Sequence, residues 1–312
     1  MPRKSSLPLP EACCSADGAQ KIYKMTYDEL YAQIKKKGSF LCVGLDTDLD
    51  KIPSCVKERN VTMADAEAIF LFNKDIIDAT APYTVAYKIN TAFYEAAGWE
   101  GVMEMERTII YLRDTYPDIF IIADAKRGDI GNTARQYAKA FFERMDSDAV
   151  TLSPYMGGDA ILPFLSYKNK WVILLALTSN VTAVDFETMP TVEQSVYQYE
   201  PQVQVPMYER VIHKAAQWGS KENIMFVVGA TRPEQLARIR QICPDNFFLV
   251  PGVGAQGGTV EEVARAGMNS SCGLLVNSSR GIIYADSTEK FAETAALKAE
   301  EMACEMRRFL EK

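Results

Sequence analysis

Histidine is nearly missing from this chain: His213 is the only one in 312 residues. A Ser-His-Asp triad would have to run through it, and no HExxH zinc motif can exist. Its setting, Val211-Ile212-His213-Lys214-Ala215-Ala216, reads as a helix surface or a partly buried helical position. The seven cysteines, at 13, 14, 42, 55, 243, 272 and 304, form no CxxC pair, which argues against a zinc or redox site. Cys42 and Cys272 lie in apolar runs and read as small core residues. An odd, unpatterned count suits a reducing compartment. No apolar run approaches the ~20 residues needed to span a bilayer. The first twenty or so residues carry Pro, Ser and charge but no apolar segment, so they are no secretory signal. Residues 1–24 are expected to be a disordered extension, and the chain cytoplasmic, without a membrane partner. A basic excess is also missing: the net charge is −7 and the pI about 5.1. That argues against a nucleic-acid partner but leaves room for a local phosphate pocket.

What is present is alternation. Short apolar runs at 40–45, 84–89, 119–123, 149–152, 171–177, 224–228, 247–250 and 273–276 read as buried strands. Helical patterns follow at 63–80, 101–116, 132–145, 159–166, 206–218, 233–242, 259–267 and 287–310, and a further helix at 26–37 precedes the first strand. The Lys35-Lys36-Lys37 run reads as a solvated helix end, where cations suit the dipole. Strands alternating with helices imply a parallel sheet. Eight such units suit an α/β fold of the (β/α)8 TIM-barrel type over 25–312, with an additional N-terminal helix. An open doubly wound sheet is the rival. The long gap at 178–205, with Pro190, Pro201 and Pro206, reads as a lid or insertion.

A barrel demands that functional residues gather just past the C-terminal ends of its strands. Here those ends carry Asp46, Lys88-Ile89-Asn90, Asp124-Ala125-Lys126-Arg127-Gly128-Asp129, Thr178-Ser179-Asn180, Pro251 through Gly257, and Asn277-Ser278-Ser279-Arg280-Gly281. Five charges in six residues cannot continue a buried strand, because unpaired buried charge is too costly. The third strand should therefore end before Asp124, with Asp124 and Lys126 on one face by the period of two. Lys88 sits in an apolar setting and needs a charge partner; Asp46 and Asp124 are candidates. Plain alternatives stand beside each: a structural salt bridge for Lys88, a structural pair for Asp46, an N-cap for Asp129. Gly252-Val253-Gly254-Ala255-Gln256-Gly257 matches GxGxxG, but the next strand ends in Asn277, where a dinucleotide site wants an acid. A phosphate-binding loop working with Arg280 fits better.

Taken together, these residues resemble the orotidine 5′-phosphate decarboxylases, and within them the longer subgroup. The likeness is carried by Asp-Ala-Lys-Arg-Gly-Asp-Ile-Gly-Asn-Thr at 124–133, Ser-Pro-Tyr-Met-Gly at 153–157, Phe-Val-Val-Gly-Ala at 226–230, and the rim residues above. The resemblance implies a homodimer with shared active sites, taking orotidine 5′-phosphate to UMP without metal or other cofactor. It implies that Lys126 donates the proton beside Asp124, and that Asp46 and Lys88 complete a charge network on the ribose side. Asp129 and Thr133 would reach into the neighbour's site. Asn90 and Ser179 would touch substrate, with Thr178 an alternative to Ser179. Pro251 and Gln256 would line the base and phosphate loop, and Arg280 would hold phosphate. Many members carry Gly where this chain has Ser279, so a backbone contact there is less secure. A metal-dependent phosphosugar decarboxylase or aldolase is the enzyme rival; it would carry an acidic ligand where Lys88 stands. A barrel that binds phosphate ligands without catalysis is the non-enzyme rival.

Overall fold

The computed structural model describes residues 25–59, 65–192, 204–254 and 257–311. Its strands are β1 (Leu41–Leu45), β2 (Thr84–Asn90), β3 (Phe120–Arg127), β4 (Ala149–Leu152), β5 (Trp171–Leu177), β6 (Pro190–Val192), β7 (Gln204–Pro206), β8 (Ile224–Val228), β9 (Phe248–Pro251) and β10 (Leu274–Ser278). Eight of them close into a parallel barrel in the order β1-β10-β9-β8-β5-β4-β3-β2. This is the expected (β/α)8 barrel, and the open sheet is excluded. Strands shielded on both faces read as continuous apolar runs, and β1 and β8 are buried at every residue.

The additional helix, Tyr27–Lys37, starts at a capping box between Thr26 and Glu29 and stops at Gly38, whose φ of 58° suits a residue without Cβ. It buries Tyr27, Leu30 and Ile34. The Tyr27 ring meets Phe247 at 4.9 Å, and the Trp171 indole N–H donates to Met25 O at 2.7 Å. Trp171 opens β5 and Phe247 immediately precedes β9, so this helix covers the floor of the barrel. The lysine run is not wholly solvated: Lys37 Nζ donates to the carbonyls of Ala81 (2.8 Å) and Thr84 (2.7 Å), and burial lowers its pKa to about 8.

Other boundaries moved. The pattern at 63–80 is realised as Glu67–Thr80 and that at 101–116 as Gly98–Thr115, while Ser54–Glu58 and Thr91–Ala96 are further short helices that the pattern did not foretell. The pattern at 159–166 yields only Gly158–Ala160 and Leu162–Leu165. β3 does not stop at residue 123 but runs through Arg127. At the rim its charges find partners, so the cost that should have ended the strand is not incurred. The gap after β5 holds a short 3-10 turn, Val181–Asp185, and the antiparallel β6–β7 ribbon. Residues 193–203, the proposed extension at 1–24, and Gln256 lie outside the described residues. No helix is long and apolar enough to cross a membrane among the described residues.

Candidate active site

Parallel registration builds the site. β1 pairs with β2 so that Gly44 sits beside Lys88, and β2 with β3 so that Asn90 sits beside Asp124. Lys88 projects inward from a strand otherwise composed of apolar and small polar residues. Its Nζ lies 3.1 Å from Asp46 Oδ1 and 3.0 Å from Asp124 Oδ2. Lys126 Nζ lies 2.7 Å from the other oxygen, Asp124 Oδ1. The result is a chain of alternating charge, Asp46–Lys88–Asp124–Lys126. Side-chain exposure rises along it from 6% at Lys88 and 9% at Asp124 to 49% at Lys126. The outermost ammonium is thus open to a ligand while the inner pair is sealed.

Electrostatics follow from this packing. Burial opposes ionisation of both Asp124 and Lys88, and the partners outweigh it. Lys88 and Lys126 hold the Asp124 carboxyl down to about 2, and Asp124 and Asp46 push the Lys88 ammonium above the ordinary lysine range. Beneath them Cys42 is sealed, donating to Asn277 Oδ1 at 3.6 Å, with its thiol pushed up to about 12 by burial. Cys42 and Cys272 are core residues, as read, and His213 is an exposed helical residue.

Thr151 on β4 was missed by sequence reasoning. It is fully buried; its hydroxyl donates to Asp124 Oδ1 at 2.9 Å and accepts from the Lys126 backbone N–H at 2.9 Å. The available signal was a lone polar residue in an apolar strand, since a buried hydroxyl needs partners. Lys126 itself has φ of 49°, a left-handed conformation that interrupts the strand's alternation where the β3–β4 register shifts. Asp124 and Lys126 still meet, though not through the simple period of two.

These groups open into a cavity of about 360 Å³, also lined by Asn90, Thr178, Ser179, Pro251, Ser279 and Arg280. Asn90 doubles as the N-cap of the next helix, accepting from Ala92 N at 3.3 Å. Thr178 is committed to Glu187, whose carboxylate accepts from its N–H (2.7 Å) and its hydroxyl (2.8 Å). Glu187 therefore folds the loop after β5 back onto the rim. Ser279 donates to Gly44 O at 2.9 Å, and a Cβ at Gly44 would lie 2.8 Å from Ser279 Cβ, so the serine is accommodated by a glycine opposite. At the mouth, Gly252, Gly254 and Gly257 take φ of 96°, 81° and 94°, which side chains rarely tolerate. Arg280 is exposed there and makes no ion pair among the described residues.

Asp129 and Thr133 are not brought to this cavity. Asp129 accepts from Ile130 N at 2.7 Å, and Thr133 is exposed on the helix Gly131–Ala138. Nor is Asp129 a helix cap: Ile130 holds that position without a side-chain bond. Among the described residues no group of three or more His, Cys, Asp or Glu could hold a metal ion.

A parallel barrel with an alternating Lys–Asp array on its C-terminal rim, facing a glycine loop and an arginine without an ion pair among the described residues, is the architecture of a TIM-barrel enzyme. The chain belongs to the orotidine 5′-phosphate decarboxylase / HUMPS family, whose model matches residues 39–295. It is 54% identical over 288 residues to the orotidine 5′-phosphate decarboxylase of Christiangramia forsetii, covering 92% of this chain and 100% of that protein. To the protein of the same name from Phocaeicola vulgatus it is 51% identical over 286 residues, covering 92% and 99%. Among solved structures, the OMP decarboxylase of Leishmania donovani matches with a TM-score of 0.71 and 33% identity, over 91% of this chain and 100% of that one.

Proposed function

We propose that this chain converts orotidine 5′-phosphate to uridine 5′-phosphate and carbon dioxide, a step of pyrimidine biosynthesis. The observation that carries the reading is the Lys88–Asp124–Lys126 array, with a lysine on β2 where a metal-dependent relative would place an acid. The C6–carboxylate bond breaks, CO2 leaves, and the electron pair stays on C6 in an orbital that the ring cannot delocalise. Lys126 faces that charge as it grows, then gives a proton from Nζ to C6; the amine regains a proton from water. Enzymes lower barriers by ~8–23 kcal/mol, and fixed charges are usually the largest single contribution. Asp124 would stand beside the substrate carboxylate, a repulsion of ~4 kcal/mol at 4 Å and an effective dielectric of 20. Arg280 and the glycine loop would grip the phosphate, so that remote binding energy supports these costs. Asn90 and either Ser179 or Thr178 would hold the ribose and base; Pro251 would line the base.

The enzyme would work as a homodimer with shared sites. This is supported by Asp129 and Thr133, which have no role in their own cavity, and by exposed apolar side chains on the same rim, among them Ile130, Tyr155, Met156 and Val181. Its place would be the cytoplasm; the described cysteines Cys42, Cys55, Cys243, Cys272 and Cys304 are free.

The test is loss of orotidine 5′-phosphate absorbance on adding the purified protein, with and without EDTA. Turnover that survives the chelator is the expected result. No turnover overturns the function, and chelator-sensitive turnover favours the metal-dependent rival.

A further inference from the structure

We infer that Thr151 is a positioning residue for decarboxylation, one hydroxyl that fixes both members of the Asp124–Lys126 pair. The inference rests on the decarboxylase reading above. The Lys126 N–H can only donate, so it occupies a lone pair of Thr151 Oγ1 at 2.9 Å. The single hydroxyl proton is then directed at Asp124 Oδ1, also 2.9 Å away. That oxygen already receives the Lys126 ammonium at 2.7 Å. The backbone and the side chain of Lys126 thus converge, through Thr151, on one carboxylate oxygen. Because Thr151 is fully buried and β4 is packed between β3 and β5, the hydroxyl has no freedom to wander and no water to replace it.

The bond does two things. It holds the Lys126 backbone in its left-handed conformation, which fixes where the side chain leaves the strand. It also restrains rotation of the Asp124 carboxylate, keeping one oxygen for Lys126 and the other for Lys88. A displacement of about 1 Å at a reacting group can cost ~100-fold in rate, so an isolated methyl-for-hydroxyl exchange should be felt in turnover. The charged groups facing Asp124 are Lys88 from β2 and Lys126 from β3, with Asp46 beyond Lys88. Thr151 is the neutral donor that completes the set. Loss of a donor to a carboxylate raises its pKa.

The experiment is steady-state decarboxylation by wild type, Thr151→Val and Thr151→Ser across pH, with UMP affinity measured by calorimetry. Thr151→Val should lower kcat ~10–100-fold while KM and UMP affinity stay within about threefold. The acid limb of its kcat profile should move to higher pH, a readout that loosened packing alone would not produce. Thr151→Ser keeps the hydroxyl and should stay within about threefold of wild type. If the valine variant does not fold, Thr151→Ala, which also lacks the hydroxyl, carries the same expectation. Wild-type kcat in the hydroxyl-less variant, or a serine variant as poor as valine, overturns the assignment. Absence of turnover in the wild type instead removes the decarboxylase reading itself.

Discussion

Lys88 and Asp124 face each other across neighbouring strands at 3.0 Å, and both are almost sealed from solvent. Such a pair is costly to assemble and costlier to break, since one charge removed leaves the other buried. The outer partner, Lys126, is half exposed and can be removed with little structural consequence. The array therefore separates a structural end from a chemical end, and mutations along it should separate likewise.

Lys126→Ala should abolish decarboxylation, with kcat lower by at least ~10⁴-fold, the upper end for loss of a proton donor, while UMP binding persists. The melting temperature should fall only modestly, since Lys126 is half exposed and the buried Asp124 keeps Lys88 and Thr151 as partners. Single-turnover assays at high enzyme concentration check it; substantial residual turnover removes Lys126 as the donor.

Lys88→Met should destabilise the fold by ~3–5 kcal/mol, the range for breaking a buried pair. Urea unfolding at neutral pH measures this directly. A loss below about 1 kcal/mol would mean that Asp124 takes up a proton or reaches solvent at little cost.

Stability should vary with pH at both ends. Asp124 titrates near 2 in the folded chain, below its unfolded value of ~3.9, so its contribution is present above about pH 4 and fades as pH falls toward 2. Lys88 is raised above its unfolded value of ~10.4, so its contribution is complete below that pH and is lost only in stronger alkali. Denaturant midpoints across this range check both signs. In Asp124→Asn the part of the acid-side slope due to Asp124 should vanish.

Mixing inactive Asp129→Ala and Lys126→Ala chains should restore activity if Asp129 serves the neighbouring site. A hybrid dimer then contains one intact site, so random mixing should recover about a quarter of wild-type activity. No recovery in hybrids verified by mass spectrometry would place both residues in one subunit's site.

Much of this molecule was legible in its residues because a parallel barrel writes its strands as uninterrupted apolar runs. The runs at 149–152, 171–177 and 224–228 coincide with β4, β5 and β8. The rim residues Asp46, Lys88, Asp124, Lys126, Asn90, Ser179, Pro251, Ser279 and Arg280 do share one cavity. What eluded the reading depends on partners distant in sequence. β3 continues through its charges because Lys88 and Thr151, on other strands, satisfy them. Lys37 turns inward because two carbonyls near the start of β2 await it. Glu187 matters through Thr178, nine residues away across a turn whose shape no periodicity foretells. Asp129 and Thr133 do not line the cavity of their own chain, so their role is a question about assembly rather than fold.

The left-handed backbone at Lys126 has one more consequence. A non-glycine residue there costs of order 1–3 kcal/mol, which glycine would not incur. Folding and turnover consequently make opposite demands on one codon. A library randomised at position 126 and sorted only for stable, soluble protein should tolerate glycine there and show no preference for lysine. The same library grown under demand for pyrimidine synthesis should return lysine alone. The divergence between the two selections would measure, at a single position, how far the backbone has been bent to the needs of a proton.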